Sequence, residues 1–359
     1  MKKILIILGA LSMGGGEHMV YELVDNIDKK RFDVTVMCYI GKLGTPLEKE
    51  MERIAHVVYL NENQGISLKS MSHVMSKIRE INPDLVHAHM GGMVYAIPWA
   101  FLNRKKCLMI TAHTEPTQAF HKKVEKLFHW QLKNRKKTSM VVAVSKENHS
   151  AIMEYFSVGS DVCRYINNGI QLKKFYRTKH DYYTFINVAR QDENKNQVAI
   201  LECFNQLYIN NKNIRLLLVG DGPCHSMLLE RTEELGIENA VIFPGMVKDV
   251  ENYYAVSDAY IQSSFVEAMP LSALEAMATG LPLVSTDVGG MKDITQENGL
   301  LIPAGDNKAL VAAMETLLHE DEKQRRMREQ KSLELVKNYS SEKMAKEYMD
   351  LYDEMLGAI

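Results

Sequence analysis

The sequence has little that would mark it as secreted, metal-bound or membrane-spanning. Its five cysteines (Cys38, Cys107, Cys163, Cys203 and Cys224) are odd in number, scattered, and form no CxxC pair. That speaks for a reducing compartment and against a disulfide framework or a structural zinc. No apolar run approaches the ~20 residues of a membrane span. There is no low-complexity tract and no repeat of solenoid period. The start, MKKILIILGALSMGGGE, imitates a signal peptide with two lysines and an apolar run. It has no A-x-A cleavage site, and its last residues read as a glycine loop opening a helix, so a first buried strand is the preferred reading.

What is present is a folded globular composition, 46% hydrophobic and 25% charged. At 359 residues the chain exceeds one ordinary core, so two domains are expected. The net charge of −2 hides an asymmetry: residues 1–180 hold 27 Lys+Arg against 16 Asp+Glu, and the remainder 16 against 29. A basic half suits nucleic acid or an anionic membrane surface. No nucleic-acid-binding motif accompanies it, so the membrane is favoured and nucleic acid is not expected as a partner.

Short apolar runs alternate with helical patterns almost throughout. KILIIL (3–8), DVTVMCYI (33–40), DLVHAH (84–89), CLMITAH (107–113) and SMVVAVS (139–145) read as buried parallel strands, and LKSMSHVMSKIREI (68–81) reads as a helix. The pattern pauses at LKKFYRTKHDYY (172–183), read as a linker. It restarts with TFINVAR (184–190), IRLLLVG (214–220), AVIFPG (240–245), AYIQSS (259–264) and LPLVST (281–286). The expected fold class is α/β, two Rossmann-like, doubly wound parallel-sheet domains facing a cleft, spanning 1–175 and 184–339. An amphipathic helix in 340–359 is expected to pack back toward the N-terminal domain. In such sheets ligands sit beyond the carboxyl ends of the strands, so the strand-end loops carry the chemistry.

One such loop lies in SSFVEAMPLSALEAMATGLPLVSTDVGG (263–290). Pro270 suits the first position of a helix over 270–279, and Gly280 the residue past its end. Glu267 precedes a helix N-terminus, a pole that binds phosphate readily. Glu275 sits mid-helix among apolar residues and needs hydrogen-bond donors, for which sugar or ribose hydroxyls are suited. Taken alone, Glu275 could equally be a solvated helix-edge residue, Glu267 a loop carboxylate held by the helix dipole, or the two a glycosidase acid and nucleophile. Arg190 and Lys195, five positions apart after a strand, could steady a diphosphate or form an ordinary charged loop. His113 ends a strand. His87 and His89 alternate on one strand face and could be drawn with His113 as a metal trio, although a structural or acceptor-site role is preferred.

The E-x7-E segment resembles the signature of the retaining nucleotide-sugar glycosyltransferases of family four, which have the GT-B fold. Ala268 stands where that family usually has glycine. SMGGGE, NVARQDENKNQ, LLLVGDGP, INNGIQ and GLLIPAGD resemble further family motifs in the family's order, so the resemblance covers essentially the full chain. It implies a diphosphate held by Arg190 and Lys195, and donor-sugar hydroxyls held by Glu267. Amides near Ala268, Met269, Pro270 and Leu271 would meet sugar and phosphate. Ribose hydroxyls would lie on Glu275, and backbone would approach the diphosphate at Gly15 and Gly16. His113 would reach the donor sugar.

It also implies no metal, since no D-x-D motif stands where a divalent-dependent transferase would need one, and no cofactor besides the nucleotide-diphosphate sugar donor. The acceptor would be a growing glycan or a polyprenyl-linked lipid, in synthesis of a cell-surface polysaccharide such as a capsule or exopolysaccharide. The enzyme would be cytoplasmic and peripheral on the inner face of the membrane. FHKKVEKLFHWQLKNRKK (120–137), with seven Lys/Arg, one acid and interleaved Phe120, Phe128 and Trp130, is either a solvated helix face or an interfacial helix on anionic lipid. A sugar-nucleotide epimerase on the same fold and a non-catalytic sugar-nucleotide-binding subunit stay open as alternatives. A dehydrogenase is disfavoured because SMGGGE lacks G-x-G-x-x-G spacing.

Overall fold

The computed structural model describes residues 1–62 and 67–357, so the last two residues of the expected C-terminal segment lie outside the described residues. The chain divides into two compact units. One is Met1–Gly169 with Ser341–Ile359, and the other is Ile170–Ser340.

The first unit is built on seven parallel strands. They are β1 (Lys2–Leu8), β2 (Phe32–Cys38), β3 (His56–Tyr59), β4 (Leu85–His89), β5 (Cys107–Ala112), β6 (Ser139–Ala143) and β7 (Cys163–Tyr165), in the order β3-β2-β1-β4-β5-β6-β7. The central strands are buried along nearly their whole length, as in β1 from Ile4 to Leu8 and throughout β4 and β5. That is the condition for an unbroken apolar run to be a parallel strand, with helices on both faces. The chain order reverses between β1 and β4, which makes their carboxyl ends the switch point of the sheet.

The second unit has six parallel strands. These are β8 (Tyr183–Val188), β9 (Ile214–Val219), β10 (Val241–Gly245), β11 (Ala259–Gln262), β12 (Leu283–Thr286) and β13 (Gly299–Ile302), in the order β10-β9-β8-β11-β12-β13. This is the dinucleotide-fold order, with its switch point between β8 and β11. The doubly wound α/β class expected from the sequence is what both units show.

The division between units falls after Gly169. The polar stretch read as a linker is packed on the second unit. Asp258 takes Arg177 at 3.1 Å, His180 at 2.7 Å and the Thr184 amide at 2.9 Å, and the Thr178 amide donates to the Ala255 carbonyl. One part-buried carboxylate gathers two partners from that stretch and the Thr184 amide just past it, which its polar composition concealed.

The Ser341–Gly357 helix lies on the first unit. It buries Met344, Tyr348 and Tyr352, sets the Tyr352 ring edge-on to Phe32 at 5.7 Å, and pairs Asp353 with Arg31. The Lys122–Asn134 helix turns Val124, Phe128, Gln131 and Leu132 inward, and Phe120 stacks on Phe128 with ring centroids 5.6 Å apart. Phe120 and Phe128 are therefore core residues rather than an interfacial surface, and of the three aromatics only Trp130 is exposed.

Candidate functional site

In the second unit, the loops leaving β8 and β11 at the switch point are stitched into one body. Asp192 caps the turn Glu193–Lys195 by accepting the Lys195 amide. The Asn194 side chain then holds the other loop from both sides: its amide donates to the Val266 carbonyl at 2.9 Å, and its carbonyl accepts the Val266 N–H at 3.0 Å. The Ser263 hydroxyl is 2.9 Å from the Lys195 and Asn196 carbonyls, and Thr286 donates to the Ser264 carbonyl at 2.7 Å.

This framework brings Lys195 Nζ to 2.5 Å from Glu267 Oε1, an oxygen that also accepts the Ser264 hydroxyl at 2.7 Å. Lys195 keeps 21% of its side-chain surface and Glu267 10%. Among the described residues Glu267 is thus held by a cation and a hydroxyl, with no hydrogen bond from the amides of the helix it precedes. Arg190, its expected companion, stands off: its side chain is 72% exposed and reaches only Asp192, at 3.8 Å, as an ion-pair partner among the described residues.

The loop carrying Glu267 continues into the Leu271–Ala278 helix. Pro270 is the cap rather than the first helical residue, and it has no N–H. This pole carries the amides of Ala268 and Leu271 with the first helical turn, whose N–H groups lack intrahelical acceptors. Gly289 closes over the loop. Its φ is +55°, and a Cβ there would lie 2.0 Å from the Glu267 carbonyl oxygen, while the Gly290 amide donates to the Ala268 carbonyl at 2.6 Å. Gly289→Ala is expected to cost on the order of 1–3 kcal/mol of stability, the range for such strain, and to displace Glu267. Denaturant melts of the variant check this, and an unchanged midpoint would contradict it.

Glu275 is half-buried on the same helix. Its one hydrogen-bond donor among the described residues is the Tyr254 hydroxyl, 3.0 Å from Oε2, which also lies 2.9 Å from the Ser272 carbonyl. Burial pushes the carboxyl up to about 7, against the opposing effects of the Tyr254 hydrogen bond and the Lys174 charge. A carboxylate so short of donors is suited to receive a diol.

In the first unit, the Gly15–Asn26 helix opens in the loop after β1, with Gly15 exposed and Gly16 half-buried. A Cβ on Gly16 would lie 3.1 Å from Met90 Sδ and 3.7 Å from His113 Nδ1, so the glycine keeps that space clear. His113, after β5, has its Nε2 2.9 Å from His89 Nδ1. The His89 ring lies against His87, with centroids 4.1 Å apart. His87 in turn is 2.7 Å from both the Tyr352 hydroxyl and Thr111 Oγ1, tying β4 and β5 to the C-terminal helix. Burial pushes His113 down to about 4, His87 to about 3 and His89 well below its ordinary value, so near neutral pH all three are uncharged.

The structure therefore gathers Lys195, Glu267, Ala268, Met269, Pro270, Leu271 and Glu275 around one loop and helix of the second unit, and Gly16 with His113 in the first. Sequence reasoning missed Asn194, Ser264 and Tyr254. Asn194 lies inside the NVARQDENKNQ stretch, whereas Tyr254 is 21 positions before Glu275 and belongs to no motif.

A model described as glycosyl transferases group 1 matches residues 170–333, and a model of glycosyltransferase family 4 matches residues 13–174. The N-acetyl-alpha-D-glucosaminyl L-malate synthase of Bacillus anthracis is 31% identical over 188 residues, 52% of this chain and 49% of that protein, so the match spans about half of that relative's length. The UDP-Gal:alpha-D-GlcNAc-diphosphoundecaprenol alpha-1,3-galactosyltransferase of Escherichia coli is 24% identical over 82% of this chain and 81% of its own. Among solved structures, Anabaena Alr3699/HepE in complex with UDP and glucose superposes with a TM-score of 0.82 at 18% identity, over 98% of this chain and all of the other, a likeness of fold.

Proposed function

Since the chain belongs to the group 1 glycosyl transferases, with the GT-B fold, we propose that it moves a hexose-type sugar from a nucleotide-diphosphate donor to a glycan or polyprenyl-linked acceptor, with retention at the anomeric carbon. The observation that carries the proposal is the switch-point site of the second unit. There a lysine–glutamate pair, a helix amide pole and a donor-poor carboxylate stand along one loop and helix. The bond from the anomeric carbon to the diphosphate oxygen breaks, and the acceptor oxygen bonds that carbon on the same face. The departing phosphate oxygen takes the acceptor's proton. Lys195 and the amides of Ala268 and Leu271 stabilise the charge growing on the diphosphate, with the exposed Arg190 adding a second cation. Glu267 holds Lys195 and the donor-sugar hydroxyls, and Glu275 takes the ribose diol. His113 meets the donor sugar, and Gly15 and Gly16 leave space for the diphosphate. No metal and no cofactor has a part in this scheme.

The relatives' names support the substrate classes: the Escherichia coli protein is named for UDP-Gal and a diphosphoundecaprenol-linked acceptor. A place in cell-surface polysaccharide synthesis, on the cytoplasmic face of a membrane, belongs to the same proposal. The test is a thermal-shift panel of UDP-, GDP- and ADP-sugars. One nucleotide class should raise the midpoint by a few degrees, about 2.7 kcal/mol at a hundredfold excess over Kd. Mass spectrometry of products with and without acceptor then separates transfer from epimerisation. No shift with any nucleotide would contradict the proposal.

Among the described residues, no helix is long and apolar enough to cross a membrane. Membrane contact is proposed through the outer face of residues 120–137. Trp130 is 43% exposed, edge-on to Phe101 at 5.5 Å, with exposed Leu102 beside it in sequence. Lys126 and Lys133 share its helix face, and Arg104, Lys136 and Lys137 line a neighbouring depression. Binding to anionic vesicles should fall about fivefold per lysine replaced, at about 1 kcal/mol each, and weaken with salt. Equal sedimentation with zwitterionic vesicles would contradict this.

A further inference from the structure

His87, His89 and His113 form a chain in the first unit whose contacts bear on where the protons sit. His89 is fully buried, and its Nε2 has no hydrogen-bond partner among the described residues. Its Nδ1 lies 2.9 Å from His113 Nε2, so one proton sits between these two nitrogens. Both rings are neutral near pH 7, because burial depresses each, and a neutral imidazole carries one proton.

Two arrangements are then possible. If His113 donates, His89 must carry its own proton on Nε2, which leaves a buried N–H with no acceptor. If His89 donates, its Nε2 is a bare lone pair. Buried donors without acceptors are rarer in native proteins than acceptors without donors, and they cost the full desolvation of the N–H. The second arrangement is favoured.

We propose that His89 donates from Nδ1 to His113 Nε2 and so locks His113 in its Nδ1–H tautomer, which makes His113 a hydrogen-bond donor to the substrate rather than a base. The position that a Cβ on Gly16 would take is 3.7 Å from that Nδ1, so the glycine leaves room beside the donor. His89 acts through His113 and is a positioning residue. Its ring is in turn set by the adjoining His87, tilted 40° to it, which the Tyr352 and Thr111 hydroxyls hold at both nitrogens. The consequence for substrate rests on the reading of His113 as the group that meets the donor sugar, whereas the tautomer itself does not.

Long-range proton–nitrogen NMR spectra of the ligand-free, full-length protein with labelled histidine test this near neutral pH. His113 should show Nδ1 protonated and Nε2 as an acceptor. In His89→Asn, whose amide N–H occupies the place of Nδ1, that pattern should persist. In His89→Leu, His113 should revert to the Nε2–H form that free imidazoles prefer. In kinetics, His89→Leu should lower kcat on the order of 10- to 100-fold through misdirection of the donor, and His89→Asn should restore most of it. A wild-type His113 in the Nε2–H form would overturn the proposal, even if His89→Leu failed to fold. The Nδ1–H form together with full turnover in His113→Ala would uphold the tautomer and remove the functional reading of His113.

Discussion

Lys195→Met should lower turnover on the order of a thousandfold, the cost of removing one preorganised group that meets developing charge. The side chain is fixed in advance by Glu267 at 2.5 Å and by a backbone pinned through Asn194 and Ser263, so little reorganisation is left for the moment of reaction. Methionine keeps the length and volume and removes the charge. The loss should appear in kcat more than in KM, because the charge it answers grows as the sugar departs. Stability should fall as well, since among the described residues Glu267 would keep only the Ser264 hydroxyl as a side-chain donor. The penalty should be roughly 2 kcal/mol, below the ~3–5 kcal/mol of a broken, fully buried pair because Lys195 is partly solvated. Adding Glu267→Gln should return much of that stability while leaving the enzyme inactive. A Lys195→Met protein with near-normal kcat would remove the lysine from the mechanism.

Glu275→Gln should stabilise the ligand-free protein and weaken its hold on nucleotide. Burial lifts the carboxyl from its ordinary 4.5 to about 7, so the folded state binds this proton more tightly than the unfolded state does. The wild type therefore loses stability as pH rises from about 4.5 to about 7, and the loss is complete above that window. Glutamine cannot ionise, so the variant should gain roughly 2 kcal/mol over wild type at alkaline pH and nothing below the window. Nucleotide binding should show the opposite sign. Ribose hydroxyls donate best to the ionised form, so wild-type affinity should rise as pH passes through about 7. In Glu275→Gln that slope should vanish, and binding should weaken about 10- to 100-fold, the value of hydrogen bonds to a charged group. Denaturant melts and titration calorimetry at acid and alkaline pH measure both. Identical pH slopes in the two proteins would show that Glu275 does not face the ligand.

The parts of the fold that were legible in the sequence are those where burial leaves a one-dimensional trace. β1, β4, β5 and β6 are buried on both faces, so their apolar runs stand out, as do the amphipathic period of Leu68–Ile81 and the proline and glycine around Leu271–Ala278. β3 is only half-buried, β7 has three residues and β13 four, too little pattern to register. The glutamates were singled out by resemblance, since spacing alone left a solvated helix edge equally open for Glu275. The Lys195–Glu267 pair joins residues 72 positions apart, and only the order of strands brings them together. Tyr254 as the partner of Glu275, and Asn194 as the clamp of the loop, are likewise products of tertiary packing. The aromatics of 120–137 misled for a related reason. Phe128 lies on the inward stripe of its helix and Trp130 on the outer one, a difference of phase that composition does not carry.

A crystal structure of the protein with its nucleotide-diphosphate sugar tests the central claim most directly. The diphosphate should lie against Lys195 and the amides leading into the Leu271–Ala278 helix, with the ribose diol on the Glu275 carboxylate. A nucleotide bound elsewhere, with Lys195 still paired only to Glu267 and Glu275 touching no ligand, would contradict it.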